Sequence, residues 1–338
     1  MNTRKAVYFL APCQVAVQEE KLPTLETGQA RVKTHLSAIS SGTESLIYRG
    51  QFPENLEVDP NIPALAGKFR YPLKYGYCAV GQIVDVGAGV DTAHRGQWVF
   101  SFQPHESFFT AAIDELLPIP QDVPPEDAVF LPNMETAVNL VMDGKPLIGE
   151  QALVCGQGII GLLTTALLAR FPLAGLVTLD RYPLRREASL QLGASASLSP
   201  DRENTLAQIQ ALQPNGADLA FELSGSPDAL DQTITLTGFD GRVILGSWYG
   251  QKRANLDLGG RFHRSRIRLL SSQVSTLSSE LSGRWTKARR FQVAWQMLRI
   301  ISPSRFITHR FALQDAAQAY QHIDQHPEDS IQIILTYP

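Results

Sequence analysis

One short turn in the middle of the chain carries three glycines at the spacing G-x-G-x-x-G, namely Gly156, Gly158 and Gly161. The apolar run 152–155 precedes the turn, and an apolar segment long enough for a buried helix, 159–170, follows it. The first glycine permits a tight turn, the second lets a ligand approach the backbone, and the third allows helix and strand to pack closely. The free N–H groups at the start of the helix would then face a phosphate group.

An acidic residue follows the next apolar run, 175–179, which reads as a second strand. This residue, Asp180, lies about twenty residues beyond the last glycine, where a carboxylate can accept hydrogen bonds from a ribose 2′-hydroxyl. A 2′-phosphate would be repelled there, so the unit predicts a dinucleotide site that prefers NAD(H) over NADP(H). Arg181, Arg185 and Arg186 directly after the acid leave NADP(H) open. The alternative interpretation is a glycine turn in an α/β domain that binds no cofactor. The predicted contacts are Gly156, Gly158, Ile159, Ile160, Gly161, Asp180 and Arg181.

Strands and helices continue to alternate after this acid, with strands expected at 217–223, 242–245 and 267–271. Such a rhythm predicts a parallel, doubly wound sheet. Ligands of these sheets bind at the carboxyl ends of the strands, beside the turns that follow. The residues at those turns predicted to contact the cofactor are Ser224, Gly225, Gly246 and Ser247. Ordinary strand-to-helix turn chemistry is the alternative for each of them.

The first part of the chain, residues 1–122, consists of strand-like runs interrupted by glycine and proline, and predicts an irregular β-rich domain. The proline-rich stretch 118–132 marks a crossing between domains, and residues 124–127 resemble a helix start. The final strand, 331–336, is expected to return to the first domain. We therefore predict a domain formed by 1–122 and 303–338, and a dinucleotide-binding domain formed by 123–302.

The totals limit the possible classes of protein. A chain of 338 residues suggests about two domains, and a formal net charge of −3 gives no reason to expect nucleic acid or an anionic membrane as partner. No apolar run reaches the roughly 18 residues of a membrane span, and the N-terminal residues read as a first strand, not as a signal peptide. The three cysteines, Cys13, Cys78 and Cys155, form no pair motif, so a cytoplasmic location is the expectation.

Taken together, the segments resemble the medium-chain dehydrogenase/reductase superfamily over nearly the whole chain. The resemblance rests on SAISSGTESLIYRG (37–50), KYGYCAVGQIVDVGAGV (74–90), HESFFTAAIDELLPIP (105–120), VCGQGIIG (154–161), DLAFELSG (218–225) and ITHRFALQDAAQAY (307–320). It implies an α/β fold, with a GroES-like β-rich catalytic domain and a Rossmann domain with a doubly wound parallel sheet.

The departures from the family concern its zinc ligands. Zinc-dependent members carry cysteine where this chain has Ser41, histidine followed by glutamate where it has Tyr77 and Cys78, and cysteine or glutamate near Pro132. Serine and tyrosine are poor zinc ligands at neutral pH, so we predict that the protein contains no zinc. The alternative is a different metal geometry that uses His94 or His105, although lone loop histidines are usually surface residues.

The resemblance also suggests which residues handle the proton. Thr43 occupies the position of a Ser/Thr proton relay, Glu44 matches an acidic position beside it, and Tyr48 lies one helical turn further on. Tyr77, in place of a histidine ligand, should point into the cleft, where a phenol can donate a hydrogen bond to an alkoxide. The alternatives are a helix cap for Thr43 and Glu44, and interdomain packing for Tyr77.

These residues predict a zinc-independent, NAD(H)-dependent oxidoreductase that transfers hydride between the nicotinamide and a small-molecule alcohol/carbonyl substrate. The stretch SGTE with lost zinc ligands is similar to the bacteriochlorophyllide dehydrogenases, a partial match that does not carry the substrate over. The alternatives are an enoyl or quinone reductase of the same fold and a non-catalytic nucleotide-binding protein. Relatives pair the edges of their Rossmann sheets, so we expect a homodimer through an edge near 267–272.

Overall fold

The structure is a computed structural model that describes residues 3–53, 57–59 and 62–338. The chain divides into two compact units. The first unit contains Met1–Pro132 and Leu298–Pro338, and the second unit contains Asn133–Met297. The first unit is therefore built from both ends of the chain.

The described residues form strands and helices in the following order. The first part of the chain contains β1 (Thr3–Ala11), β2 (Gln14–Lys21), β3 (Gln29–Ala38), α1 (Ser41–Tyr48), β4 (Ala79–Val86), β5 (Trp98–Ser101), β6 (Phe108–Ala112), β7 (Leu117–Pro118), α2 (Pro125–Ala128) and α3 (Leu131–Gly144). The middle contains β8 (Gln151–Cys155), α4 (Ile159–Leu168), β9 (Gly175–Leu179), α5 (Pro183–Gln191), β10 (Ala196–Leu198), α6 (Thr205–Leu212), β11 (Ala217–Glu222), α7 (Pro227–Leu236), β12 (Thr237–Leu245) and β13 (Arg268–Ser271). The last part contains α8 (Lys287–Ile301), β14 (Ile307–Ala312), α9 (Ala316–Gln325) and β15 (Gln332–Thr336).

The first unit contains a seven-stranded sheet and a hairpin. The sheet has the order β14-β15-β3-β4-β5-β7, with β6 also paired to β3, and β1 pairs with β2. In β3, buried residues alternate with partly exposed ones, the pattern of a strand that packs one face on a core. The last strand, β15, pairs with β3 through Ile334 and Ala38, so the predicted return of the C-terminal strand to the first domain is confirmed.

The second unit contains a six-stranded sheet in which all strand pairs are parallel, with the order β10-β9-β8-β11-β12-β13. From β8 the chain adds β9 and β10 on one side, and it then adds β11, β12 and β13 on the other side. The position between β8 and β11 is therefore the switch point of a doubly wound sheet. The predicted α/β fold class is confirmed. β13 lies at one edge of this sheet, where the sequence placed the homodimer contact, and the homodimer stays a prediction.

Apolar patterning explains the central elements of this sheet. Residues 152–155 of β8 and all but one residue of α4 are buried, as the continuous apolar runs predict. Leu153 of β8, Val177 and Ala220 are buried in a core that also contains residues of α6 and α7. Because α4 packs on β8 and β9, its N-terminus is held at the carboxyl edge of the sheet.

Several strands were not predicted from the sequence. β2 is mostly exposed and carries Gln18, Glu19 and Glu20 in series, so its sequence has little apolar alternation. β10 has only three residues, all partly exposed, and β6 lies within a segment read as irregular. The helix start at 124–127 is confirmed, because α2 begins at Pro125 with a proline in its first turn.

The division of the chain differs from the predicted domain bounds by several residues. The units meet at 132/133 and at 297/298, whereas the sequence suggested 122/123 and 302/303. α2 belongs to the first unit because the carboxylate of Asp127 accepts a hydrogen bond from the backbone N–H of Ser304, at 2.7 Å. Within the described residues, no helix is both long enough and apolar enough to cross a membrane.

A fully buried guanidinium connects three segments of the second unit. Arg290 of α8 donates to Glu135 Oε1 at 2.7 and 3.1 Å, and to Asn139 Oδ1 at 2.5 Å. It also donates to the carbonyl of Val274 at 2.5 Å. Because Glu135 is buried as well, burial raises the pKa of its carboxyl group, and the nearby positive charge of Arg290 opposes this rise. Removal of the arginine would leave a buried carboxylate without its cation.

We therefore expect Arg290→Met to destabilise the second unit by about 3–5 kcal/mol, the usual cost of breaking a buried ion pair from one side. Three of the four tryptophans, Trp248, Trp285 and Trp295, lie in this unit, so urea unfolding followed by tryptophan fluorescence reports on it.

The matched control is Arg268→Gln in the same unit. Arg268 lies 3.4 Å from Asp240, and both side chains are more than half exposed. Loss of the Arg268 side chain should lower the free energy of unfolding by less than about 1 kcal/mol. Equal destabilisation by the two substitutions would contradict a structural role for the Arg290 pair.

Candidate functional site

The predicted cofactor residues of the second unit share one edge of the sheet. The ends of β8, β9, β11 and β12 are in register, because Cys155 pairs with both Leu179 and Glu222, and Glu222 pairs with Leu245. Each strand then leaves the sheet through a turn at this carboxyl edge. The structure therefore brings together the residues that the sequence assigned to four separate turns, which are Gly156, Gly158, Ile159, Ile160, Gly161, Asp180, Arg181, Ser224, Gly225, Gly246 and Ser247.

Two glycines of the turn after β8 are required by close backbone packing. Gly156 has φ +93°, and a Cβ atom there would lie 2.6 Å from the backbone of Leu223 and Ser224. A Cβ atom on Gly161 would lie 1.9 Å from the carbonyl oxygen of Gly156. No side chain fits at either position without moving the backbone. The turn thus brings α4 into direct contact with the end of β8.

Gly158 differs from both, because a Cβ atom there would meet nothing within 4 Å. It caps the N-terminus of α4 with an extended conformation, φ −63° and ψ −179°, which any residue can adopt. Neither backbone strain nor internal packing therefore explains a glycine here. The first N–H groups of α4 have no partner inside the helix. Open surface beside such groups is what a phosphate of a ligand requires.

Asp180 is buried at the end of β9, and its carboxylate holds the glycine turn in place. Oδ2 accepts a hydrogen bond from the backbone N–H of Gln157 at 2.7 Å, and Oδ1 accepts from that of Tyr182 at 2.9 Å. The negative charge is therefore fixed beside the N-terminus of α4. Arg181 is exposed and lies 3.4 Å from Asp201, and Arg186 donates to the carbonyl of Asp180 at 2.9 Å. Both arginines thus have partners of their own.

A second buried carboxylate, Glu222, lies at the same edge, and no sequence pattern predicted it. Glu222 Oε1 accepts from the backbone N–H of Ser224 at 2.8 Å and from its hydroxyl, and Oε2 accepts from Tyr249 at 2.8 Å. The hydroxyl of Ser247 accepts from the N–H of Gly225 at 2.9 Å. Glu222 thus holds the turns after β11 and β12 together, which supports the structural interpretation of Ser224 and Ser247 alongside the ligand-binding one.

In the first unit, the carboxylate of Glu44 is the centre of a buried polar network. Oε1 accepts a hydrogen bond from the backbone N–H of Ser40 at 2.7 Å. Oε2 contacts His105 Nε2 at 3.0 Å and accepts from Tyr320 at 2.5 Å. Glu44 and His105 have no exposed surface. The sequence treated His105 as a possible metal ligand or a surface residue, and the surface interpretation is wrong, since both of its ring nitrogens are bonded in the interior.

The network has a single direction of donation when Glu44 is ionised. A carboxylate only accepts, so Nε2 of a neutral His105 must carry the proton and Nδ1 must accept. Nδ1 lies 2.7 Å from Ser37 Oγ, which therefore donates to it, and Tyr337 in turn donates to Ser37 at 2.8 Å. Burial raises the pKa values of Tyr320 and Tyr337, which keeps both phenols protonated as donors.

The hydroxyl groups of Tyr77, Ser40 and Thr43 form a second, more accessible group next to this network. Tyr77 donates to Ser40 Oγ at 2.5 Å and forms a hydrogen bond with the Thr43 side chain. Burial raises the pKa of Tyr77, and the hydrogen bonds to Ser40 and Thr43 oppose this rise. Because Glu44 holds the N–H of Ser40, it also fixes the start of α1. The structure thus brings together Thr43, Glu44 and Tyr77, and Glu44 also acts as a helix cap.

The remaining candidate, Tyr48, lies elsewhere in the first unit. Its ring is buried in the hydrophobic core and stacks on Tyr320, with 6.0 Å between the ring centroids. Tyr77 is positioned by a different aromatic row, in which Phe69 packs on Tyr75 and Tyr75 contacts Tyr77 at 6.1 Å. The ring of Tyr77 thus packs within the first unit while its hydroxyl is hydrogen-bonded, and the interdomain packing of Tyr77 stays untested.

The donor atoms near Glu44 do not fit a zinc ion. Both nitrogens of His105 are bonded to Ser37 and Glu44, and burial raises the pKa of the Cys78 thiol well above its ordinary value, which disfavours the thiolate that zinc binds. Within residues 3–53, 57–59 and 62–338, three side chains that could bind a metal ion lie close together in another place, at His309, His322 and Asp329. His94 is on the surface, where it contacts Gln97.

The sequence did not predict most residues of the buried network around Glu44. Ser37, Tyr320 and Tyr337 lie in segments that carried only a strand or helix signal. The one available signal was the pair His105 and Glu106, a histidine and an acid in a segment between two strands. Glu106 is buried and binds Arg4 at 3.0 Å, so both members of the pair are interior residues.

Comparisons with known proteins agree with this architecture. A family model described as zinc-binding dehydrogenase matches residues 160–291, which lie within the second unit. The chain is 24% identical to the starvation-sensing protein RspB of Escherichia coli K12, covering 98% of this chain and 99% of that protein. It is also 24% identical to D-guloside 3-dehydrogenase of the same strain, over 98% of this chain and all of that protein.

A solved structure, a short chain alcohol dehydrogenase (rspB) from E. coli CFT073 in complex with the cofactor NADH, superposes with a TM-score of 0.80. The match covers 99% of this chain and 100% of that chain at 21% identity. These full-length relatives agree with the glycine turn, with the strand order of the second unit and with a first unit built from both chain ends. Together these findings support membership of the chain in the medium-chain dehydrogenase/reductase superfamily.

Proposed function

We propose that this protein is a zinc-independent, NAD(H)-dependent oxidoreductase that interconverts an alcohol and its carbonyl compound. The observation that carries the proposal is the fixed carboxylate of Asp180 beside the glycine turn, next to open surface at Gly158. The named relatives support the reaction class, since one is a D-guloside 3-dehydrogenase and another is an alcohol dehydrogenase crystallised with NADH.

The residues of the second unit fit a dinucleotide. The N–H groups at the start of α4 would bind the phosphates, and Gly158 leaves room for them. Asp180 would accept hydrogen bonds from the ribose hydroxyls and repel a 2′-phosphate. When bound, the nicotinamide ring supplies or accepts the hydride. Arg181 is paired with Asp201, which supports the preference for NAD(H).

The hydroxyl groups of the first unit would handle the proton. In the structure the single phenolic proton of Tyr77 points to Ser40 Oγ. On substrate binding it would turn to the substrate oxygen and stabilise the alkoxide that forms there. The proton lost by the alcohol would pass to the Tyr77–Thr43 pair of hydroxyl groups and from there to solvent water. Glu44 and His105 act by holding the start of α1 in place, and they do not touch the substrate.

The proposal derives no step through zinc. The positions that bear zinc ligands in relatives carry Ser41, Tyr77 and Pro132, none of which is a strong ligand at neutral pH. The match to the zinc-binding dehydrogenase model begins at residue 160, after all three of these positions. The resemblance to the bacteriochlorophyllide dehydrogenases stays a prediction, so a substrate screen begins with sugar glycosides and secondary alcohols and continues with tetrapyrroles.

The first prediction concerns the choice of cofactor. Because Asp180 repels a 2′-phosphate, NADH should bind at least about tenfold more tightly than NADPH, a difference of roughly 1.4 kcal/mol. Asp180→Asn keeps a side-chain oxygen for the N–H of Gln157 but removes the charge. The substitution should therefore lower the ratio of NADH affinity to NADPH affinity. Fluorescence titration of each dinucleotide measures both affinities. Equal affinities in the parent protein would contradict the role of Asp180.

Gly158→Ala is the matched control for this experiment. The added methyl group meets nothing in the protein, so the variant should fold as stably as the parent. It should obstruct the phosphates common to both dinucleotides, and therefore weaken NADH and NADPH together without changing their ratio. Unchanged binding of both would show that the dinucleotide does not lie against this turn.

The second prediction concerns the proton. Tyr77→Phe and Thr43→Val should each lower turnover by about a hundredfold to a thousandfold, the usual cost of losing one donor to a developing oxyanion. NADH affinity should stay near the parental value, because the dinucleotide residues are unchanged. Steady-state kinetics on a substrate verified with the parent enzyme, together with NADH titration, measure the two effects.

Tyr71→Phe provides the control for loss of a tyrosine hydroxyl in the first unit. Tyr71 belongs to the same aromatic region but donates to the carbonyl of Ile47. Its substitution should leave turnover within a few-fold of the parent, while stability falls by about 1 kcal/mol. If Tyr77→Phe and Thr43→Val behave like Tyr71→Phe, other groups must stabilise the oxyanion.

The third prediction concerns metal dependence of the reaction. Incubation with a strong chelator, followed by gel filtration, should leave turnover unchanged, because no step depends on a metal Lewis acid. Turnover and residual metal content are measured on the same sample. Loss of activity that zinc restores, in a sample that stays folded throughout, would contradict the zinc-independent reaction.

A further inference from the structure

Three side chains in the C-terminal part of the first unit form a group that the proposed reaction does not use. His309 lies on β14, His322 on α9, and Asp329 in the segment between α9 and β15. One ligand atom from each lies within 4.8 Å of the other two. The imidazole rings are 4.2 Å apart, and His322 Nε2 lies 2.9 Å from Asp329 Oδ1.

A local irregularity of the sheet positions the first histidine. The register of β14 with β15 shifts at Thr308, so that Ile307 pairs with Gln332 while His309 pairs with Ile333. Such a bulge changes the face to which the following side chains point. His309 and Phe311 then lie on the face of β14 that α9 covers, since both rings contact His322.

One nitrogen of His309 has no partner in the protein. Its Nδ1 is buried and accepts or donates no hydrogen bond within the described residues. A buried polar atom without a partner is costly, and such atoms often mark an ion or a water site.

The three donors match the preferences of zinc. Two imidazoles and one carboxylate are a common zinc ligand set, with the fourth position open to water. Tetrahedral zinc places its ligand atoms about 3.3 Å apart, given metal–ligand bonds near 2.0 Å. Asp329 is about half exposed, with 53% of its side-chain surface accessible, so it can rotate to close the remaining distance. A metal ion would replace the proton that His322 and Asp329 share.

We infer that His309, His322 and Asp329 bind a divalent transition-metal ion, with zinc as the best fit, at a site separate from the residues proposed for catalysis. The ion would connect β14, an edge strand of the sheet, to α9 and to the segment before β15. Its role would be to stabilise the first unit. The inference is independent of the proposed oxidoreductase activity.

The test uses the full chain without an oligohistidine tag, stripped with a chelator and titrated with zinc chloride by calorimetry. The parent should bind about one zinc per chain, and zinc should raise its melting temperature because it binds only the folded state. Cobalt(II) titration should give visible bands of tetrahedral intensity. His322→Asn and Asp329→Asn should each weaken binding at least about tenfold, since each removes a ligand.

Two matched controls lie in the same unit. His94→Asn removes a surface histidine that contacts Gln97, and Asp324→Asn removes a carboxylate on α9 that pairs with Arg49. Both should bind zinc like the parent. Asp329 lies on the surface, so its variant should fold even if His322→Asn does not, and unfolding curves without zinc check this.

Two results would overturn the inference. The first is no saturable zinc binding by the stripped parent protein. The second is zinc binding that His322→Asn and Asp329→Asn leave unchanged. Chelator-resistant turnover tests the zinc-independent reaction separately, so each proposal can fail without the other.

Discussion

The first unit depends on a carboxylate that has no exposed surface and that pairs with no lysine or arginine in the described part of the chain. Glu44 is held by three hydrogen bonds, from the residue before α1, from α9 and from the segment before β6. A buried charge without such donors would be strongly destabilising. The donors are the backbone N–H of Ser40, the phenol of Tyr320 and the imidazole of His105. This arrangement fixes the first turn of α1, and with it the hydroxyl groups that meet the phenol of Tyr77.

The second unit depends on a steric constraint in its glycine turn. A Cβ atom on Gly161 would overlap the carbonyl oxygen of Gly156, so α4 approaches the end of β8 as closely as backbones allow. The carboxylate of Asp180 then binds the N–H of the residue between the glycines of this turn. The combination leaves one glycine, Gly158, at which a Cβ atom would meet no other atom within 4 Å. The second unit thus separates the glycines that the fold needs from the one that we propose serves the cofactor.

The reaction that we propose runs without the zinc of many members of the superfamily, so residues of the first unit must take over the tasks of that metal. A phenol that burial keeps protonated would provide a donor for an alkoxide, which is one of the tasks of a Lewis acid. The imidazole near the proposed hydroxyl groups is committed to Glu44 and Ser37. Among the described residues, His309 of β14 has a buried nitrogen without a partner, and it lies beside His322 of α9.

The sequence by itself determined the glycine turn, the acid after β9 and the parallel sheet, because these features are encoded by residues close together in the chain. Exposed strands such as β2 lacked that signal. Only the tertiary structure decided the surroundings of Glu44, since His105, Tyr320 and the more distant Tyr337 reach its network from positions 61, 276 and 293 residues away. It also decided the approach of His309 to His322, because a one-residue bulge sets the direction of that side chain. Hydrogen-bond partners across such separations follow from packing, which no local pattern of residues records.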